Sequence, residues 1–195
     1  NTLEEIAFEK ASIIKDHGTV FAIKGSVQVH KVIKKISDQK SANLQFLGEH
    51  FNIVKVTEKA PPLLITYENS NICLKDLELS LIGCFQASNA ALALSACLHY
   101  CHKNGKEIQE QAIRKSLKNT FWNGRMEVIS MRPTIILDIA HNPAAVKEMA
   151  KSVQKLFSYK KAITIFGVMR DKPSDEILKE LISFTDHFIL VRPNQ

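Results

Sequence analysis

Six positions carry side chains whose type and spacing could do chemistry: Lys10, Gln86, Asn89, Arg125, Asp138 and His141. Asp138 and His141 stand in the run P-T-I-I-L-D-I-A-H-N-P-A-A-V at 133–146, where a short β-branched stretch ends on a carboxylate and enters a helix at Pro143. Proline suits the first turn of a helix, having a fixed φ and no N–H to waste. Both side chains therefore project from the carboxyl end of a strand beside a helix N-terminus, the edge where open α/β sheets bind ligands and free N–H groups favour anions. A surface turn in which Asp138 and Asn142 merely cap the helix is the structural alternative. Gln86 and Asn89, three residues apart, offer both donors and acceptors, which an adenine edge requires; capping would also account for them. Arg125 follows a glycine that lets the backbone turn closely, and its planar fork suits phosphate. It could instead pair with Glu127 or Asp138. Lys10 falls on the apolar stripe of its helix, where desolvation disfavours the ammonium. The neutral amine is the form that reacts with carbon dioxide, whereas a snorkelling stem needs no chemistry at all.

The elements that must position these groups follow from pattern. Thr2 and Glu5 form a T-x-x-E capping box, which predicts a helix to about Lys15 with Leu3, Ile6, Ala7, Ala11 and Ile14 on one stripe. Thr19–Ile23 reads as a strand, and Gly25-Ser26 introduces a helix with Val29, Val32, Ile33 and Ile36 on one face. Short β-rich runs follow at 44–47, 52–57, 63–67 and 72–81, separated by Gly, Pro-Pro and Glu-Asn-Ser-Asn turns. Gly83 then opens a helix so rich in alanine and leucine that burial on most sides is expected, and 107–117 is amphipathic with Ile108, Ala112, Ile113 and Leu117 inward. After a short connection at 118–124, Thr134–Leu137 is expected as a buried parallel strand because it is apolar at every position. A helix at 144–157, a buried strand at 162–168, a helix capped by Ser174 and a strand at 187–191 complete a β-α-β-α-β series, which implies a right-handed parallel sheet. The fold class is α/β, and the connection at 118–124 divides the chain into domains at 1–121 and 122–195.

D-I-A-H-N-P at 138–143 resembles the D-x-A-H-N-P signature of folylpolyglutamate synthases and dihydrofolate synthases, members of the Mur ligase superfamily. Four more stretches are similar to that family in the same order: N-T-L-E-E-I-A-F-E-K-A-S-I-I-K at 1–15, L-I-G-C-F-Q-A-S-N-A-A-L-A-L at 81–94, W-N-G-R-M-E at 122–127 and F-G-V-M-R-D-K at 166–172. The resemblance implies a remnant of the Mur ligase central ATP-binding domain, with antiparallel strands closing it, followed by part of a Rossmann-like C-terminal glutamate ligase domain. It makes Lys10, as a carbamate, a magnesium ligand, and gives Asn89 a contact to adenine, with Gln86 beside it. It directs Arg125 from a hinge toward the ATP phosphates, Asp138 toward the ribose and His141 toward the phosphates, so that Lys10, Arg125 and His141 are the catalytic group. Asp171 and Lys172 join the site only through the resemblance; a solvated turn is the alternative. Three positions depart from the pattern: Ser12 for glycine, Phe85 for histidine and Asn123 for proline.

The implied reaction is ATP-dependent amide formation between a pteroate or folate carboxylate and L-glutamate through an acyl phosphate, with Mg2+ as cofactor and ATP as a substrate. The alternatives are a Mur-type ligase acting on a peptidoglycan precursor and a noncatalytic nucleotide-binding module. Nowhere does G-x-x-x-x-G-K-[ST] occur, and the family carries that loop upstream, so the chain is expected to be a fragment. The absence of G-x-G-x-x-G argues against a nicotinamide enzyme. A formal charge of +6 is moderate, and lysines such as Lys31, Lys34, Lys35, Lys115 and Lys118 are scattered on helix faces without interleaved aromatics, which argues against nucleic-acid binding. No apolar run approaches a membrane span and no signal peptide opens the chain. Cytoplasmic location follows as the expectation, with the four cysteines as buried or half-buried free thiols. The family resemblance implies a monomer.

Overall fold

The computed structural model describes residues 2–57 and 62–192; Asn1 of the first motif, Pro61 of the expected Pro-Pro turn and the end at Gln195 lie outside the described residues. Two compact units divide the chain, one of 1–56, 65–77 and 88–115, the other of 57–64, 78–87 and 116–195.

The first unit opens with α1 (Leu3–Ala11), held by the expected capping box: Glu5 N–H donates to Thr2 Oγ1 at 3.2 Å and Thr2 N–H to Glu5 Oε2 at 2.8 Å. The helix stops four residues before Lys15. The Ser12 hydroxyl donates to the Glu9 carbonyl at 2.6 Å, and the β-branched pair Ile13-Ile14 follows. Both features weaken helix continuation. β1 (Thr19–Ile23) pairs parallel with β2 (Asn43–Leu47), and α2 (Val27–Gln39) connects them from its Ser26 cap. The sheet continues in the order β1, β2, β3 (Phe51–Thr57), β4 (Leu63–Asn69), β5 (Cys73–Leu79). The run at 44–47 therefore belongs to a parallel pair and not to an antiparallel closure. The tight turn that joins β4 to β5, with Asn69 N–H donating to the Ile72 carbonyl at 3.0 Å, permits only antiparallel pairing of those two.

Neighbouring residues of β1 serve two cores. Val20 packs with Ala11, Ile14 and Ile36 between α1, α2 and the sheet, while Phe21 meets Phe51 and His99 edge-on at 5.9 and 5.7 Å. Successive strand side chains face opposite ways, so the sheet is covered on both sides. His99 lies on α3 (Gln86–Lys103), which buries one face through Ala90, Ala91, Leu94 and Ser95 and leaves Asn89, Ala93, Ala96 and Cys97 exposed. Burial on most sides is thus corrected to burial on one, because alanine content says nothing about direction. On α4 (Glu110–Asn119) Ile113 is buried but Ala112 is exposed, and Arg114 ties the helix to β5 by donating to the Lys75 carbonyl at 2.8 Å.

In the second unit the C-terminal part begins with β6 (Glu127–Met131), antiparallel to β7 (Thr134–Leu137). The apolar run is therefore neither parallel nor buried: Ile135 is 41% and Leu137 46% exposed. α5 (Pro143–Leu156) and α6 (Ser174–Ile182) pack together, and β8 (Ile163–Phe166) pairs parallel with β9 (His187–Leu190). Phe166 and Phe188 join the core of Val146, Ile177 and Leu181, whereas Ile163 and Ile165 on the other face of β8 are 59% and 68% exposed. Only one face of this pair is covered. Among the described residues the parallel series is limited to β8 and β9, with no pairing of β7 to β8. Ser174 is the first helical residue of α6 and gives no side-chain cap; Pro173 holds that position. All four cysteines are free; Cys84 and Cys101 are half-buried, as expected, whereas Cys73 and Cys97 are exposed. Among the described residues no helix is long and apolar enough to cross a membrane.

The buried Tyr67 hydroxyl shares a hydrogen bond with Ser95 Oγ at 2.9 Å and accepts one from Asn69 Nδ2 at 3.2 Å. Tyr67→Phe strands the buried serine and is expected to lower the unfolding free energy by about 1–2 kcal/mol. Urea denaturation of the variant and of Tyr67→Phe/Ser95→Ala checks this, the second change recovering part of the loss.

Candidate active site

Two motifs meet because of one hairpin. In the β6–β7 register Glu127 lies opposite Leu137, so the turn that enters β6 and the turn that leaves β7 are side by side. Ile139 N–H donates to the Gly124 carbonyl at 2.9 Å, and Met126 N–H donates to Asp138 Oδ2 at 2.8 Å. The other Asp138 oxygen accepts Ala140 N–H at 2.7 Å. W-N-G-R-M-E and D-I-A-H-N-P are thereby a single constellation in the second unit.

Arg125 sits at the crest of the first turn, between Gly124 at φ 67° and Met126 at φ 48°. Two successive departures into the left-handed region reverse the chain within three residues, and the one at Met126 costs free energy unless its surroundings hold it. They do so twice: the Met126 side chain is fully buried, and its N–H is engaged by Asp138. Glu127 turns back to accept Gly124 N–H at 2.9 Å. Neither carboxylate pairs with Arg125. Among the described residues its exposed guanidinium has no hydrogen bond or ion pair, so the structural alternative for this residue does not hold. A groove of about 380 Å³ runs past Arg125 and is lined also by Trp122, Phe121, Lys118 and Ser80.

At the second turn, Asn142 caps α5 by accepting Ala145 N–H at 2.9 Å, and Pro143 occupies the first helical position. His141 Nδ1–H donates to the Ile139 carbonyl at 3.0 Å, which fixes the ring and leaves Nε2 for a ligand. The Lys172 ammonium, 2.8 Å from the Asp171 carboxylate, holds that carboxyl below its usual range, and nearby His141 adds to the effect. F-G-V-M-R-D-K thus brings its polar end to the same edge as His141.

Gln86 belongs to this second unit as well, and is buried. Its turn is anchored on α5, where Cys84 N–H donates to Ser152 Oγ at 3.1 Å and the Ser152 hydroxyl donates to the Glu148 carbonyl at 2.8 Å. Asn89 and Lys10 belong to the first unit, both exposed. Lys10 is not held against apolar surface: its side chain is 74% exposed and its ammonium pairs with Glu9 at 2.9 Å. Its place on the stripe in a helical projection faces outward, since only Ala7 and Ala11 of that helix are buried. The desolvation argument for a carbamate falls with it. The described residues bring together no three histidine, cysteine or acidic side chains suited to a metal, so Lys10 and its neighbours do not by themselves form a magnesium site.

Sequence reasoning weighed Glu127 only as a partner for Arg125 and gave Met126 and Ser152 no part of their own. Met126 had no signal, because a non-glycine residue at positive φ is not visible in composition; Gly124 was the available hint. At Gly124 an added Cβ would sit 2.6 Å from Ile139 Cγ2, and the backbone is already left-handed. Gly124→Ala is expected to destabilise the chain by about 2 kcal/mol or more, read as a fall in the urea midpoint with unchanged slope.

Residues 124–195 match the family described as Mur ligase, glutamate ligase domain. The dihydrofolate synthase/folylpolyglutamate synthase of Bacillus subtilis is 32% identical over 192 residues, which is 96% of this chain and 44% of that protein. The folylpolyglutamate synthase of Lacticaseibacillus casei is 31% identical over 88% of this chain and 40% of its own length. Among solved structures, an FPGS–AMPPCP–folate complex superposes with a TM-score of 0.93 at 26% identity, over all of this chain and 47% of that one. Folylpolyglutamate synthase of Thermotoga maritima gives 0.79 at 28% identity, over 98% of this chain and 44% of that one. This chain spans somewhat less than half the length of these relatives. With the five motif blocks in order and the turn at Arg125 and Asp138 built as described, residues 124–195 belong to the Mur ligase glutamate ligase domain family, and the chain is similar over nearly its whole length to folylpolyglutamate and dihydrofolate synthases.

Proposed function

We propose that this chain contributes the adenine-side, hinge and phosphate-facing parts of an ATP-dependent ligase that joins L-glutamate to a pteroate or folate carboxylate. The observation that carries the reading is Arg125: an exposed guanidinium without a partner among the described residues, on a turn held from both sides. In the reaction the carboxylate oxygen attacks the γ-phosphorus of ATP and ADP leaves; the glutamate amine then attacks the acyl phosphate, forming the amide and releasing phosphate and a proton. Charge accumulates on the transferring phosphoryl group, and a cation fixed there before reaction is worth more than one that must be recruited. Arg125 supplies that cation, His141 offers Nε2 to a phosphate oxygen, and each Asp138 oxygen retains a lone pair for a ribose hydroxyl. Gln86 and Asn89 take the adenine edge. Domains at 1–121 and 122–195 closing about 118–125 would bring these groups to one nucleotide.

Lys10 enters this reading on its motif alone. Because it is exposed, a carbamate there must be favoured by a bound Mg2+ and not by desolvation, and no step above is routed through the metal. The relatives whose names support the reading are folylpolyglutamate and dihydrofolate synthases, and one solved relative is a complex with AMPPCP and folate. A cytoplasmic monomer without nucleic-acid or membrane partners completes the proposal. A peptidoglycan-precursor ligase shares the reaction type and differs in the acceptor. A noncatalytic nucleotide-binding module is the alternative outside the ligases.

Phosphate release by the complete gene product with ATP, magnesium and glutamate, given dihydropteroate and tetrahydrofolate in parallel, separates these readings. Glutamate-dependent release with either pterin is expected, and Arg125→Ala should lower its kcat at least about a hundredfold, as loss of a transition-state donor does elsewhere. Release with neither pterin from a folded protein would sink the folate assignment; unchanged turnover would remove Arg125 from the mechanism.

A further inference from the structure

The Arg125 turn draws the acceptors on both sides of the arginine from ionised side chains. Gly124 and Met126, the residues on either side of Arg125, each give their backbone N–H to a carboxylate, Glu127 at 2.9 Å and Asp138 at 2.8 Å. Gly124 and Met126 are both buried, so these N–H groups need acceptors from within the protein. Here two ionised side chains are spent on them, and hydrogen bonds to charged groups are the stronger kind. Both carboxylates lie close to Arg125 in sequence or space, yet neither takes the guanidinium, and nothing else in the described chain does. An arginine whose backbone is fixed at both neighbours while its charge is left open is preorganised for an external anion.

We infer that Glu127 and Asp138 are positioning residues for Arg125, holding the 124–126 backbone by its N–H groups so that the guanidinium stands ready for a phosphate. Glu127 acts through the turn and touches no substrate. This inference rests on the proposed role of Arg125, and its geometric half stands apart from that role. An Asp138 committed to two N–H groups also explains why a change there would disturb the Arg125 turn and the His141 turn together.

The test is ATP titration by calorimetry into the 195-residue chain and its variants Arg125→Ala, Glu127→Ala, Glu127→Gln and Glu127→Ala/Arg125→Ala. Glu127→Ala is expected to weaken ATP about tenfold, the equivalent of one charge-assisted hydrogen bond. Glu127→Gln, whose amide oxygen still accepts Gly124 N–H, should stay within about twofold, and Glu127→Ala should cost nothing further once Arg125 is alanine. Full additivity of the two losses, or wild-type affinity in Glu127→Ala while Arg125→Ala is weakened, would overturn the inference. Amide hydrogen exchange on the same proteins reads the clamp without nucleotide: Gly124 should exchange faster in Glu127→Ala and Met126 faster in Asp138→Asn or Asp138→Ala. If the chain binds no ATP, or Arg125→Ala changes nothing, the failure belongs to the proposed function and exchange decides the clamp. Unchanged exchange at both amides would then overturn it.

Discussion

One carboxylate bears two backbone N–H groups from different motifs: Asp138 accepts Met126 from the turn before β6 and Ala140 from the turn after β7. Without that acceptor the buried Met126 would hold a left-handed backbone with an unmatched N–H, and strain and desolvation would add. The position of Arg125, the direction in which His141 leaves β7 and the entry into α5 all descend from this arrangement. An apolar replacement of the same size could fill the space but could not hold the two donors.

The antiparallel β6–β7 pair explains why motifs separated by ten residues act as one site. A parallel β7 flanked on both sides would have carried Asp138 to a sheet edge away from residues 124–127; the hairpin instead returns it to the turn from which β6 started. The second junction, Cys84 to Ser152, has the same economy, with a single fully buried hydroxyl that accepts from one segment and donates within another. Such shared groups make a small unit cooperative, since losing one partner leaves the other buried and unpaired.

Much of this was legible in residue order. The Thr2–Glu5 box, the Ser26 and Asn142 caps, and Pro143 at the first helical turn are local chemistry, decided within four residues, and the structure holds each of them. Thr134–Leu137 was misread because an unbroken apolar run signals burial on both faces only when the rest of the sheet is present to cover it; here β7 meets a hairpin partner and keeps Ile135 and Leu137 exposed. Lys10 was misread for a related reason. A helical projection ranks faces by composition, but the packed face of α1 is chosen by α2, whose Ile36 meets Ala11 and Ile14. Glu127 and Met126 were out of reach because their parts depend on backbone N–H groups aimed by positive φ angles.

The uncovered side of β8 and β9 sets how the chain behaves as a solute. Ile163, Ile165 and Ile189 form an adhesive patch, 51–68% exposed at each position, on a molecule of formal charge +6. Attraction through that patch is short-ranged and strengthened by sulfate or phosphate, whereas the opposing repulsion between like-charged molecules is long-ranged and fades as salt shortens the Debye length. Ionic strength therefore acts on the chain twice in the same direction, and its colloidal stability is greatest in dilute, weakly salting-in buffer.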